Sequence, residues 1–307
     1  MISLILPARN GGDLTQNCLR SVLHSLQALQ LPAQLILIDD ASAPSEQIRA
    51  RFEAVRTQAP GHEVKIIRAT ERLHYSRVFA VGLHFAKHDN VLFISNDMLV
   101  TPHFLLALLG VAALDEHFGI IRGTSNFVDS HPEHTVALPG ELKSYGDVLS
   151  FSASRFNDLG LHHVEDRMLS GDAVLVKRRL IERIGVFDCR FFGYFGDIDY
   201  GMRAHLAGFK LVCAKGAWLH HLGGGYVKTE AMAGGKDYAT LMAERLKVVD
   251  DAYQLFKAKW DPTLPPHVAE VTLTDYCALA ERAEQRPALA CAVPPSLIAT
   301  LVVDERS

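Results

Sequence analysis

The first hundred residues alternate short apolar runs with amphipathic stretches. Ile2-Ser3-Leu4-Ile5-Leu6 ends at Pro7, as a strand buried in a parallel sheet does. From Asp13 to Leu29, the apolar residues Leu14, Cys18, Val22, Leu26 and Leu29 recur at helical spacing. Leu35–Ile38 is a second buried run ending in Asp39-Asp40, Val64–Ile67 a third, and Val91–Ile94 a fourth ending in Ser95-Asn96-Asp97. Ser76–Lys87 reads as a helix between the third and fourth runs. Thr101 followed by Pro102 marks the start of another helix, through Leu114. Strands alternating with helices predict an α/β fold, with a mostly parallel sheet flanked by helices.

The stretch from Ile120 to Asp172 is less regular and rich in Gly, Ser, His and Asp, which predicts loops and short strands. Periodicity returns at Arg178–Ile184, a helix closed by Gly185, and at Tyr200–Ala207, a helix closed by Gly208. Leu211-Val212-Cys213 reads as a strand. Tyr238–Lys259 reads as a long amphipathic helix packing on the domain, and Thr274–Gln285 as a further helix in a Pro-punctuated tail.

Composition narrows the function classes. A net charge of -4 gives no basic field, which argues against a nucleic-acid partner. The 5 cysteines show no CxxC spacing, so reduced structural thiols in a cytoplasmic setting are expected rather than a thiolate zinc site. Met1 opens directly onto a strand-like run, without the basic and apolar regions of a signal peptide. Phe104–Leu114 is too short to span a bilayer, and Leu289–Val303 is broken by Pro294-Pro295. A peripheral contact with the inner membrane face stays compatible with this pattern.

The chemistry concentrates at a few places. In an open parallel sheet, ligands bind beyond the carboxyl ends of the strands. Those ends carry Pro7-Ala8-Arg9-Asn10, Asp39-Asp40-Ala41-Ser42 and Ser95-Asn96-Asp97. Arg9-Asn10-Gly11-Gly12 lacks the GxGxxG spacing of a dinucleotide site. Further on, Asp197 and Asp199 lie among Phe191, Phe192, Tyr194, Phe195 and Tyr200, and His220-His221 follow. A carboxylate against apolar surface becomes a usable general base near neutral pH.

These segments resemble, in order over residues 1 to 225, the family 2 inverting glycosyltransferases, of the GT-A nucleotide-diphosphosugar fold. Leu4 to Asn10 is similar to the family's opening strand with its Pro-x-x-Asn end, which makes Pro7, Ala8 and Asn10 expected nucleotide-sugar contacts. Ile38 to Ser42 resembles the motif whose first acid, here Asp39, contacts the nucleotide base. Phe93 to Asp97 resembles the variant Asp-x-Asp motif, with Ser95 and Asn96 at the donor and Asp97 on the metal. Gly171 to Val176, Gly185 to Asp188 and Phe191-Phe192 resemble the acceptor side, which places Gly171 and Asp172 there. Asp197-Ile198-Asp199 matches the Glu-Asp-x-Asp/Glu base motif, with Asp197 as general base and Asp199 orienting or binding the acceptor. His221-Leu222-Gly223-Gly224 resembles the metal-binding histidine, and counting from Ala217 favours His221 over His220.

The resemblance implies a transferase that moves a sugar from a nucleotide diphosphate donor, UDP-sugars favoured, onto a glycan or lipid-linked acceptor. The expected cofactor is Mn²⁺ or Mg²⁺, and bacterial surface-polysaccharide assembly is the implied setting. Residues 1–225 would form the catalytic domain, with 1–115 as the nucleotide-sugar half and 116–225 as the acceptor half. Residues 226–307 would be a C-terminal helical extension that packs on the domain, shapes the acceptor side or mediates self-association. Two departures stand out: Gly196 replaces the motif's glutamate, and Arg72–Gly82 keeps only Gly82 of an Asn-x-Gly pattern. Gly196 is therefore where acceptor choice is expected to differ, and Arg72 with His74 is expected to face the diphosphate. A sugar nucleotidyltransferase would need a Gly-rich basic loop after the first strand, which Pro7-Ala8-Arg9-Asn10 does not provide. The missing glutamate also admits a non-catalytic nucleotide-sugar-binding protein.

Overall fold

The computed structural model describes residues 1–128, 132–166, 173–222, 238–271, 278–279, 281–282 and 290–304. Four apolar runs form a parallel block of the sheet: β1 (Ile2–Ala8), β2 (Ala33–Asp39), β3 (Glu63–Ala69) and β4 (Asn90–Ile94). The chain steps outward from β1 through β2 to β3, then crosses back to place β4 on the other side of β1. That reversal opens a crevice between β1 and β4 at their carboxyl ends, the usual ligand position in such sheets.

The sheet continues through β5 (Met98–Leu99), β6 (Phe118–Ser125), β7 (His163–Asp166), β8 (Ala173–Lys177), β9 (Lys210–His221) and β10 (Leu301–Asp304). The 10-stranded order is β10-β3-β2-β1-β4-β8-β6-β9-β5, with β7 also pairing with β9. Strand residues alternate between two cores, as a period of two requires. Leu4 and Leu6 face one core with helices α1 (Gly12–Ala28), α2 (Ile48–Gln58) and α4 (Pro102–Ala112). Ile5 faces the other, with α3 (His74–Phe85), α6 (Arg178–Ile184) and α7 (Gly196–Leu206). A third cluster joins Phe191, Phe195 and Met202 to Tyr253, Phe256 and Trp260 of α8 (Tyr238–Trp260).

Three expectations need correction. The stretch 120–172 is more ordered than its composition suggests, since it holds part of β6, all of β7 and the helix α5 (Tyr145–Leu159). Ser144 accepts from the Asp147 amide and Asp147 reaches back to the Ser144 amide, so a capping box starts α5 despite its serines and glycine. Helix α7 begins at Gly196, not Tyr200, so Asp197 and Asp199 lie in its first turn. The tail is not purely helical: β10 pairs antiparallel with β3 and covers that sheet edge. The helix expected at Thr274–Gln285 falls largely outside the described residues.

Candidate active site

The carboxyl ends of β1 and β2 are tied together by short polar side chains. Asn10 adopts φ 57 and Gly11 φ 64, turning the chain sharply off β1 into α1. The Asn10 amide donates to Ser42 Oγ at 2.9 Å, and Asn10 Oδ1 accepts from the Ala43 amide at 2.9 Å. Ser42 in turn donates its amide to Asp39 Oδ1 at 2.8 Å. Asn10 and Ser42 thus hold the loop that carries Asp39. The other Asp39 oxygen lies 3.8 Å from Arg68 Nε, beside a cavity of about 580 Å³ lined by Asp39, Ser42, Ile48 and Arg68. Pro7 and Ala8 lie within β1, paired with Ile38 and Asp39.

Basic groups gather beside this loop. Arg9 donates to the carbonyls of Asp40 and Ala41. Burial pushes the Asp40 carboxyl up, against hydrogen bonds from the Leu73 and His74 amides and the charges of Arg9 and Arg72. Burial also pushes His74 down to about 4, helped by the charges of Arg72, Arg77 and Arg9. The side chain of Arg77 stacks 4.0 Å over the ring of Phe192, which meets His74 edge-on. Arg72 therefore belongs to a cationic cluster beside the strand ends.

Beyond β4, Ser95 and Asn96 fasten the strand end to α1. The Ser95 carbonyl accepts from Cys18 Sγ at 3.6 Å, and Asn96 Nδ2 donates to Thr15 Oγ1 at 2.8 Å. Asp97 follows, and β5 then pairs with the end of β9, Met98 opposite His221. This pairing brings His221 Nε2 within 3.2 Å of Asp97 Oδ2, both residues being buried. His221 Nδ1 lies 3.0 Å from the Phe127 carbonyl, and Asn126 brackets the His221 backbone with hydrogen bonds of 2.7 and 2.8 Å. A carbonyl only accepts, so Nδ1 donates to Phe127, which leaves Nε2 as the ring atom that faces the Asp97 carboxylate. With Nε2 deprotonated, this N/O pair would have the donor chemistry to hold a divalent cation such as Mn²⁺ or Mg²⁺. Strand alternation sends His220 to the opposite face, where its ring lies 6.0 Å from that of Trp218.

Asp197 stands half-buried in the first turn of α7, where the helix dipole favours negative charge. Its Oδ1 accepts from the Ile198 amide at 3.0 Å. Asp199 is put to a different use from the one expected. It is 0% exposed, and Arg203 Nε, Trp260 Nε1 and Lys259 Nζ lie 2.9, 2.9 and 2.5 Å from its oxygens. A carboxylate enclosed by three donors has no face left for an acceptor. At Gly196, the glycine expected to alter acceptor choice, a Cβ would lie 2.2 Å from Ser76 Oγ. The residue is a close contact between α7 and α3. Gly171 and Asp172 lie outside the described residues.

A family model described as "Glycosyltransferase like family 2" matches residues 1–240. The chain belongs to this family. Solved structures share the GT-A fold of this glycosyltransferase at low identity. The mannosyltransferase PcManGT from Pyrobaculum calidifontis, in complex with GDP-Man and Mn²⁺, is 14% identical with TM-score 0.52, over 93% of this chain and 87% of that one. GalNAc-T7 with UDP, GalNAc and Mn²⁺ is 16% identical with TM-score 0.57, over 94% of this chain and 55% of that one. S. aureus TarS 1-349 is 14% identical with TM-score 0.50, over 92% and 82%. Comparison with curated proteins yields no significant match.

The glycosyltransferase carries a second group with metal-ligand chemistry: His134, Asp166 and Cys213 place their donor atoms within 4.8 Å of one another. Its hydrogen bonding is of the opposite kind. Lys215 Nζ lies 3.1 Å from His134 Nδ1, and an ammonium only donates, so the proton sits on Nε2 and is given to Asp166 at 2.9 Å. No ring lone pair is left for a cation. Sequence reasoning missed Asn126 and Phe127, because their parts in the site depend on strand pairing across 95 and 94 residues. Among the described residues, no helix is long and apolar enough to cross a membrane.

Proposed function

We propose that this glycosyltransferase moves a sugar from a nucleotide diphosphate donor, UDP-sugars favoured, to a hydroxyl of a glycan or lipid-linked acceptor, with inversion at the anomeric carbon. The observation that carries the reading is the pairing of His221 Nε2 with Asp97 Oδ2, just beyond the carboxyl end of β4. The ligands of PcManGT and GalNAc-T7, a nucleotide or nucleotide sugar with Mn²⁺ in each, are in keeping with it.

Asp97 and His221 would hold a divalent cation, which when bound supplies Lewis-acid stabilisation of the leaving diphosphate. Asp39, on its braced loop, would accept from the nucleotide base in the adjoining cavity. The cluster of Arg9, Arg72, Arg77 and neutral His74 offers positive potential to the donor phosphates. Asp197 would take the proton of the attacking acceptor hydroxyl, leaving the oxygen free to displace the diphosphate from the opposite face of the sugar. One displacement inverts the centre. Assembly of a surface glycan at the inner membrane face is the setting this reading fits.

Calorimetric titration of UDP with and without Mn²⁺ tests the donor half. Wild type should bind UDP more tightly with Mn²⁺, and Asp97→Ala should lose that gain. Equal UDP affinity in both conditions for wild type would contradict the metal assignment.

A further inference from the structure

The helix α8 begins at Tyr238, at the end of the 1–240 stretch that the family model matches, and most of it lies beyond. It contacts the residues on both sides of Asp197. Before Asp197, Phe195 is a non-glycine residue at φ 64, a conformation that persists only where the surroundings enforce it. Its ring packs 5.6 Å from that of Tyr253 and 5.2 Å from that of Phe256. After Asp197, Asp199 receives Trp260 Nε1 at 2.9 Å and Lys259 Nζ at 2.5 Å. Lys259 also reaches Asp188 Oδ2 at 2.9 Å, so one ammonium joins the carboxylate of α7 to that of the preceding loop. Arg203 completes the enclosure, binding Asp199 through Nε and the carbonyls of Ile184 and Val186 through its other nitrogens at 2.9 Å.

This arrangement is more than packing. A buried ion pair adds little stability over apolar residues of the same volume, but it accepts only one register between the partners. Here that register is set in the turn that carries Asp197. Gly196 closes the turn from the other side, pressed against Ser76 of α3.

We propose that Lys259 and Trp260 are positioning residues for the transfer reaction, holding the first turn of α7 through Asp199 so that Asp197 meets the acceptor hydroxyl. The proposal rests on the reading of Asp197 as the base. It makes the C-terminal helix part of the catalytic apparatus without contact with either substrate. Misplacing a reacting group by about 1 Å costs on the order of 100-fold in rate, whereas donor affinity is read here as resting on Asp39, Asp97 and His221, none of which Lys259 or Trp260 bonds.

The test uses the full chain with Lys259→Met, Lys259→Arg, Trp260→Phe and Asp197→Asn. UDP binding in Mn²⁺ is measured by calorimetry, and turnover with a panel of UDP- and GDP-sugars. The expected result is unchanged UDP affinity and donor KM, with kcat lowered about tenfold to 100-fold in Lys259→Met and by a smaller factor in Trp260→Phe. Lys259→Arg, which keeps a cation between the two carboxylates, should recover most of kcat. Wild-type kcat in a folded Lys259→Met overturns the proposal. If Lys259→Met does not fold, wild-type kcat in Trp260→Phe overturns it instead. Wild-type turnover by Asp197→Asn removes the base reading itself, a different failure from an active Lys259→Met beside an inactive Asp197→Asn.

Discussion

His221 presents Nε2 to Asp97 Oδ2 at 3.2 Å while its Nδ1 is committed to the Phe127 carbonyl. The short pairing of β5 with β9 creates this relationship across 124 residues of chain. Asn126 bears on it from outside, since its side chain bonds both the amide and the carbonyl of His221. Outer groups that orient a ligand are worth about tenfold to 100-fold in metal affinity. Asn126→Ala should therefore weaken Mn²⁺-dependent UDP binding by about that factor, as calorimetry would measure, while UDP binding without metal stays the same.

The contact between Gly196 and Ser76 predicts an asymmetric pair of variants. Gly196→Glu must displace Ser76, and should destabilise the fold by about 1–3 kcal/mol or more. Ser76 Oγ is buried without a hydrogen-bond partner among the described residues, so Ser76→Ala should be close to neutral or slightly stabilising. Thermal melts of the two variants check both. A Gly196→Glu protein as stable as wild type would show that α7 and α3 do not meet so closely.

Much of this was legible in the chain. The three apolar runs ending in Pro7, Asp39-Asp40 and Ser95-Asn96-Asp97 mark parallel strands and their polar ends, because burial on both faces makes such strands continuous in sequence. Helix α5 was not legible, since its serines and glycine have weak helix preference and its start depends on a capping box. The fate of Asp199 was hidden for another reason. Its partners Lys259 and Trp260 lie about 60 residues on, in a helix whose apolar stripe reads only as packing.

His74 predicts a pH effect on stability. Its imidazole has an ordinary value of 6.5 and is held down to about 4 in the folded protein, by burial and then by Arg72, Arg77 and Arg9. Between those values the unfolded chain binds the proton more readily, so this contribution is complete above 6.5 and is lost as pH falls toward 4. Melting temperature should thus fall between pH 7 and pH 5, and less steeply in His74→Asn, which tolerates the same left-handed backbone. Equal slopes for the two proteins would contradict the assignment.

The strand β10 predicts the behaviour of a truncated chain. Leu301 to Asp304 pair with Ala69 to Ile66, and Arg56 Nη2 lies 3.6 Å from Asp304 Oδ1. Ending the chain at Thr300 would leave the β3 edge open to pairing with other molecules. Light scattering should show higher-order species in the truncated protein at concentrations where the full chain gives a single species.

The measurement that bears most directly on the whole account is donor turnover by Asp197→Asn beside wild type, in Mn²⁺ and over a panel of nucleotide sugars. The half-buried carboxylate at the start of α7 is read as the base that removes the acceptor proton. General-base catalysis contributes about 10²–10⁴-fold, so the variant should lose turnover by that factor while UDP affinity stays unchanged. Turnover by Asp197→Asn at the wild-type rate would contradict the account.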